Sequence, residues 1–112
     1  MSSIHGRLGH GRPSASAYSA FKAALDSYTQ NLAKDLAPRI LVNAIAPGRT
    51  ATPMWGSPDE EKQKELGKVH LIKRMIQPEE VADAVLFLIR NDAVCGEILT
   101  IDGGMGLVTL QD

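Results

Sequence analysis

Two side chains in the first quarter of the sequence could together perform acid–base chemistry. Tyr18 and Lys22 lie four residues apart in a segment with a helical pattern, so they share one face of a helix. A phenol with a pKa of about 10 is a poor base at neutral pH, and a neighbouring ammonium favours the phenolate. The pair therefore suits a general acid/base supported by a cation. Core packing of the ring and a surface lysine would explain the same two residues, so the pair alone is a weak signal.

A helix over residues 16–36 is predicted to position this pair. Aromatic and leucine side chains recur there at spacings of three and four and form one stripe, which consists of Tyr18, Phe21, Leu25, Tyr28, Leu32 and Leu36. Ser14 or Ser16 can cap the start of the helix, and Pro38 ends it. Three glycines and a proline interrupt residues 1–14, so we expect a loop before the helix.

Two strands and two further helices are predicted after this helix. Residues 40–46 are a nearly continuous apolar run, typical of a strand buried on both faces of a parallel sheet, and Pro47 and Gly48 close it. A short helix should begin with Ser57 as its cap and stop near Gly67. Residues 97–101 form a second short strand, stopped by two glycines. Alternation of this kind predicts an α/β fold with parallel strands, and two strands alone leave a sheet edge that something should complete.

The second of these helices begins at Gln77 and Pro78 and should end near Arg90. Its inner face is predicted from the apolar spacing and comprises Val81, Val85, Leu88 and Ile89.

Composition excludes several classes of function. A net charge of -1 provides no basic field for nucleic acid, and no apolar run approaches the ~20 residues that span a bilayer. The first residues do not resemble a signal peptide, so we expect a cytoplasmic protein without nucleic-acid or membrane partners. The single cysteine, Cys95, excludes an intrachain disulfide and is expected to be a small buried residue. His5, His10 and His70 lack metal-ligand spacing, so we expect surface imidazoles and no metal site.

An ordered series of motifs gives the sequence a resemblance to a known family. After Tyr18 and Lys22 come residues 42–48, then Thr52 and Pro53, then residues 78–82 at a helix start, and residues 101–104 at the end of a strand. From Ser2 to Gly104, this series resembles the C-terminal half of the short-chain dehydrogenase/reductase family. The resemblance implies the C-terminal part of a Rossmann-like, doubly wound parallel sheet, with residues 1–112 as one incomplete domain.

The N-terminal nucleotide-binding half of that family is absent from the sequence. The family's glycine-rich turn after the first strand and its Asn-Ala-Gly segment have no counterpart, and the glycines of residues 6–11 have the wrong spacing. Phe21 stands where the family usually has a small residue, so we expect altered packing rather than altered chemistry.

The resemblance implies an NAD- or NADP-dependent oxidoreductase that interconverts a small-molecule alcohol and a ketone by hydride transfer. Tyr18 would be the general acid/base, and Lys22 would support it and hold the nicotinamide ribose. Ser3 stands three residues before Gly6, as in the family's Ser-x-x-Gly pattern, and would polarise the substrate oxygen, with Ser2 as the runner-up. In the segment after the first strand, backbone groups near Gly48 and Thr50 and the Thr52 hydroxyl would bond the nicotinamide carboxamide. The resemblance also places Pro47, Tyr18 and Lys22 among the cofactor-binding residues. The alternative for that segment is a simple turn in which Thr52 caps a helix.

The resemblance also implies a homo-oligomer, because the family often packs the helix that carries Tyr and Lys against its mate from another subunit. Residues 53–70 occupy the position of the family's variable substrate-binding segment. Asn43 is expected to be structural. The 112-residue chain alone should bind NAD or NADP very weakly. Two alternatives remain open, namely a truncated non-catalytic module for binding or oligomerisation, and a piece of a longer enzyme.

Overall fold

A two-stranded parallel sheet, against which one of the helices packs, forms the centre of the structure. The computed structural model describes residues 1–3, 16–55 and 58–107. Its elements are, in chain order, α1 (Ser16–Leu36), β1 (Ala44–Pro47), α2 (Glu60–Leu66), α3 (Pro78–Arg90) and β2 (Ile98–Ile101). The two strands run parallel, with Ala44 beside Ile98 and Pro47 beside Ile101. The predicted α/β fold with parallel strands is confirmed.

Helix α1 has the bounds that its apolar spacing predicts, and it carries small buried residues. Thr29 and Ala33 are its buried residues. Phe21 and Tyr28, by contrast, have exposed fractions of 72% and 63%. The large aromatic side chains of the predicted stripe therefore lie at the surface of this chain, while the small side chains make the close contacts.

Strand β1 is shorter than the predicted run of residues 40–46, and this prediction is corrected. Ile40 and Leu41 are exposed and precede the strand. The pairing of the strand is limited by β2, which has only four residues. Before the strand, the Asn43 side chain replaces strand pairing: its Oδ1 accepts from the Glu97 N–H at 2.9 Å and its Nδ2 donates to the Val94 carbonyl at 3.1 Å. The expected structural role of Asn43 is confirmed.

The hydrophobic core lies between β1, β2 and α3. Its buried members are Ile45, Ile76, Val81 and Ala84, and Leu88, Leu99 and Ile101 pack against them. The predicted inner face of α3 is partly wrong, because Val85 and Ile89 are exposed and Ala84 takes the buried position between Val81 and Leu88. A small residue at that position lets the helix approach the sheet closely.

The starts and ends of the two shorter helices largely follow the sequence signals. Helix α3 begins at Pro78 and ends at Arg90, as predicted. Helix α2 ends before Gly67, as predicted, but its cap is Asp59, whose carboxylate accepts from the Lys62 N–H at 2.8 Å. Ser57, the predicted cap, and the predictions on His5, Gly6, His10 and Ser14 lie outside the described residues. Cys95 is exposed rather than buried, because it lies in the loop between α3 and β2. In the described part of the chain, no helix is long and apolar enough to cross a membrane.

Candidate active site

The candidate catalytic and cofactor-binding residues line one cavity at the carboxyl end of β1. The cavity has a volume of about 560 Å³. The sequence-predicted residues that line it are Ser2, Ser3, Tyr18, Lys22, Pro47, Gly48, Thr50 and Thr52. These predicted residues come from three separate segments of the chain, and they meet at the edge of a parallel sheet where ligands of α/β proteins bind.

Tyr18 and Lys22 lie in the first two turns of α1, on the face that borders the cavity. The Lys22 Nζ lies 5.6 Å from the centroid of the Tyr18 ring. It also donates a hydrogen bond to the Met1 carbonyl at 3.0 Å, which ties the first residues of the chain to the helix. Tyr18 is 44% exposed in the described structure, so a molecule in the cavity can reach its ring. The ammonium therefore lies within the range of a cation–π contact with the Tyr18 ring.

Ser2 and Ser3 are placed by a backbone hydrogen bond to the edge of β1. The Ser2 N–H donates to the Ile45 carbonyl at 2.7 Å. Because the residues on either side of Ile45 pair with β2, this bond places residues 1–3 on the opposite edge of β1. Both serines are buried, with exposed fractions of 3% and 7%. The Ser2 hydroxyl has no hydrogen-bond partner among residues 1–3, 16–55 and 58–107.

Three backbone hydrogen bonds hold the segment of residues 48–51, which we call the β1-exit segment, to Ile101 and Ile76. The Gly48 N–H donates to the Ile101 carbonyl at 3.0 Å, and the Ala51 N–H donates to the Ile76 carbonyl at 2.9 Å. The Ile76 N–H in turn donates to the Arg49 carbonyl at 2.9 Å. The two bonds of Ile76 form a parallel bridge between Thr50 and Ile76, which turns the N–H and C=O of Thr50 itself away from Ile76. Thr50 lines the cavity, so its backbone N–H and C=O can form hydrogen bonds with a ligand there.

His70 is buried beneath the β1-exit segment, so the expectation of a surface imidazole is wrong. Its exposed fraction is 0%. The Nε2 atom accepts from the Arg49 N–H at 3.1 Å, and Nδ1 lies 2.6 Å from the Arg74 carbonyl oxygen. The apolar neighbours Leu71 and Ile72 are about half exposed instead. In this segment the polar residue is buried and its two apolar neighbours are exposed, which is the opposite of what their hydropathy predicts. No spacing in the sequence indicates the role of His70.

Arg49 and Trp55 also line the cavity; Trp55 belongs to the predicted substrate-binding segment, whereas Arg49 was given no role from the sequence. The Arg49 guanidinium lies 5.3 Å from the Trp55 ring centroid, within the range of a cation–π contact. It also donates to the Leu66 carbonyl at 3.1 Å, at the C-terminal end of α2 where helix carbonyls attract a cation. Arg49 therefore connects the β1-exit segment to both sides of the region over residues 53–70.

An ion pair between Arg74 and Glu80 holds the residues next to Ile76, which pairs with the β1-exit segment. Arg74 donates through two nitrogens to the Glu80 carboxylate, at 2.7 Å and 2.9 Å. The hydrogen bond from Arg74 and a second one from the Gln77 N–H lower the pKa of the Glu80 carboxyl from 4.5 to about 2. This pair joins the residues before Ile76 to the first turn of α3. Across the described ranges, no three His, Cys, Asp or Glu side chains gather in a way that could hold a metal ion.

Comparison with known proteins gives matches over nearly the whole chain. A family model described as enoyl-(acyl carrier protein) reductase matches residues 1–106. The short-chain dehydrogenase/reductase homolog YusR of Bacillus subtilis is 36% identical over 107 residues, which are 96% of this chain and 81% of that protein. The 3-oxoacyl-[acyl-carrier-protein] reductase FabG of Aquifex aeolicus is 44% identical over 91 residues, which are 79% of this chain and 37% of that protein.

A solved structure of a small-chain dehydrogenase in complex with NADPH has the same fold over the matched part. Its TM-score is 0.80 at 29% sequence identity, and the match covers 96% of this chain and 49% of that chain. The chain therefore spans most of the length of YusR but less than half of the length of FabG and of the NADPH complex.

Proposed function

The chain belongs to the short-chain dehydrogenase/reductase family, and we propose that it supplies the catalytic, nicotinamide-facing part of an NAD(P)-dependent oxidoreductase. The observation that carries this proposal is that Ser3, Tyr18 and Lys22 line one cavity with the β1-exit segment. The proposed reaction interconverts an alcohol and a ketone. The name of the FabG relative, a reductase of 3-oxoacyl groups, and the NADPH complex support this class of reaction.

The residues of the cavity fit the nicotinamide end of the cofactor. The site offers an ammonium at Lys22, the outward-turned backbone of Thr50 and the Thr52 side chain, all of which line the same space. The buried Ser2 hydroxyl, which has no partner among the described residues, is a further polar group at this wall. When bound, the nicotinamide cofactor would supply or accept the hydride. We assign the ribose to Lys22 and the carboxamide to Thr50 and Thr52.

The proton transfer in this proposal belongs to Tyr18. In the direction of reduction, the Tyr18 phenol gives its proton to the oxygen of the ketone, and in oxidation the phenolate takes the proton of the alcohol. The Lys22 ammonium stabilises the phenolate in both directions. The Ser3 hydroxyl orients the substrate oxygen toward the phenol, while Trp55 and Val85 offer apolar surface to the rest of the substrate.

A non-catalytic module for binding or oligomerisation is the second candidate, and exposed apolar surface favours it. An apolar groove of about 460 Å³ runs beside β1 and α3, and Leu41, Ile45, Val85 and Ile89 are among its lining residues. Patches of this kind mark contact sites between proteins. Nicotinamide-dependent turnover separates the two candidates, since the module would have none.

Substitution of Tyr18 tests the proposal. In any preparation that contains this chain and turns over an alcohol or ketone with NAD(P), Tyr18→Phe should lower kcat by about a hundredfold or more, as loss of a general acid/base does. Tyr28→Phe is the matched control, because Tyr28 lies on the same helix but does not line the cavity. Equal turnover in the two variants would overturn the assignment of Tyr18.

A further inference from the structure

The β1-exit segment is anchored at one point by a side chain instead of by the main chain. The amides of Gly48 and Ala51 donate to main-chain carbonyls, whereas the amide of Arg49, between them, donates to the His70 Nε2 at 3.1 Å. The residue that follows Arg49 is Thr50, whose backbone is turned away from the bridge with Ile76. The position of the Arg49 amide therefore influences where the Thr50 backbone points.

The two hydrogen bonds of His70 select one form of the imidazole. A backbone N–H can only donate, so Nε2 must present its lone pair to Arg49 and carry no proton. The Arg74 carbonyl can only accept, so Nδ1 must carry the proton. The ring is therefore neutral and protonated at Nδ1, which is the form in which both bonds are made.

The surroundings of the ring leave it little freedom to move. The imidazole has an exposed fraction of 0%. A Cβ atom at Gly48 would lie 2.8 Å from the His70 Nε2, and one at Gly103 would lie 3.1 Å from the His70 Cβ. Glycine at these two positions makes room for the ring directly beneath the β1-exit segment. His70 thus connects the β1-exit segment to the backbone at Arg74 through two hydrogen bonds, with little room to move.

We propose that His70 is a positioning residue: its Nε2 holds the Arg49 amide and so fixes the Thr50 backbone in the orientation in which it meets the nicotinamide. The link to the nicotinamide rests on the proposed function. The hydrogen-bonded form of the ring and its effect on Arg49 do not rest on it, and both can be measured without turnover.

The form of the ring can be read directly by nitrogen NMR of the chain with ¹⁵N-labelled histidine at neutral pH. We expect one histidine with a proton on Nδ1 and an unprotonated Nε2, and this signal should vanish in His70→Gln while those of His5 and His10 remain. A proton on the Nε2 of His70, or a mixture of both forms, would overturn the proposal.

A matched pair of variants tests whether the acceptor, rather than the bulk of the ring, matters. His70→Gln can place an amide oxygen near the position of Nε2, whereas His70→Met has a similar size and offers only a weak sulfur acceptor. Loss of one hydrogen bond should make the Arg49 amide exchange about tenfold faster in His70→Met than in His70→Gln. The Ala51 amide, which donates to Ile76, serves as the reference in both variants.

Equal exchange of Arg49 in the two folded variants would show that His70 only fills space, and this result would overturn the proposal. Should neither variant fold, the nitrogen spectrum of the unchanged chain decides. In a preparation with turnover, His70→Met should raise the KM for NAD(P)H more than His70→Gln does, with a smaller effect on kcat. Protected Arg49 without any turnover would count against the proposed function and not against the role of His70.

Discussion

At the scale of single residues, the cavity places the Lys22 ammonium beside the Tyr18 ring. Lys22 lies one helical turn from Tyr18, and its Nζ is 5.6 Å from the ring centroid. Its hydrogen bond to the Met1 carbonyl also keeps the serine segment beside α1. One side chain therefore contacts the proposed acid/base and also helps to hold the wall that carries Ser3.

Removal of this charge should impair turnover in a pH-dependent way. Lys22→Met should lower kcat and move the pH optimum of the remaining activity upward, because the phenolate loses its neighbouring cation. The measurement is a pH profile of turnover in an active preparation. Lys34→Met, in the last turn of the same helix and outside the cavity, is the control and should leave the profile unchanged. A profile of Lys22→Met that matches this control would contradict the assignment.

At the scale of the elements, polar side chains connect segments where strand and helix pairing ends. Asn43 bonds two backbone groups of the loop before β2 and so continues the pairing of β1. The Arg74–Glu80 pair joins the chain before Ile76 to α3. Gln77 adds a contact to α2, because its Nε2 donates to the Gln63 Oε1 at 3.0 Å.

Asn43→Ala should destabilise the fold, because it leaves the Glu97 N–H and the Val94 carbonyl without their side-chain partner. The expected loss in the free energy of unfolding is roughly 1–3 kcal/mol, as for removal of partners from partly buried polar groups. Asn31→Ala is the control, since the hydrogen bonds of its side chain within the described residues go to Ser27, on the same helix. Denaturant unfolding of both variants tests this, and an equal loss in the two would refute the role of Asn43 as a connector.

The ion pair of Glu80 should make stability depend on pH in acid. Its carboxyl has a pKa of about 2 in the fold against 4.5 in the free state, so the folded state favours the charged form. The stabilisation is therefore fully present above about pH 4.5 and is lost as the pH falls toward 2. Because both side chains are partly exposed, at 51% and 39%, solvent screens the ion pair and its contribution to stability at neutral pH should be small.

Glu80→Gln should lower Tm at neutral pH, and its difference from the unchanged chain should shrink between pH 4.5 and 2. Glu79→Gln, the neighbour in the same first turn of α3, controls for the effect of charge on the helix end. A difference in Tm that stays constant over this pH range would show that the ion pair is not the cause.

The sequence predicted regular elements better than it predicted side-chain environments. The bounds of α1 and α3 followed from apolar spacing and from Pro78, which are local signals. The length of β1 depends on its partner β2, which is distant in the chain, so the apolar run at residues 40–46 was misleading. The site residues came from an ordered motif. His70 and Arg49 were missed because their roles arise only from tertiary contacts.

At the scale of the whole molecule, α1 exposes large apolar side chains that a second protein surface could bury. Phe21 and Tyr28 are exposed on this helix, and Ala20 and Ala24 beside them would permit close helix contact. We predict a homo-oligomer, most simply a dimer, that buries this face. Light scattering at micromolar concentration should show a species of twice the mass of the 12.1 kDa chain. A uniform monomer under these conditions would contradict the prediction.

The affinity for the cofactor also depends on how much of the binding site the whole chain provides. The cofactor contacts that we propose all belong to the nicotinamide end, and the described residues contain no glycine-rich turn at a helix start for the pyrophosphate. A few hydrogen bonds of about 0.5–1.5 kcal/mol each must offset at least ~4 kcal/mol for fixing the ligand. The 112-residue chain should therefore bind NADH or NADPH more weakly than about a millimolar.

The central claim, that the cavity is the nicotinamide end of an oxidoreductase site, is tested most directly by NMR titration of the ¹⁵N-labelled chain with the two halves of the cofactor. Reduced nicotinamide mononucleotide should shift the amide signals of Thr50 and Lys22 in a saturable way at concentrations well above about a millimolar, in keeping with the weak affinity expected, whereas adenosine monophosphate should shift neither. Tyr28, on α1 but outside the cavity, should respond to neither ligand. Saturable shifts at the cavity with adenosine monophosphate, or none there with the nicotinamide half, would contradict the claim.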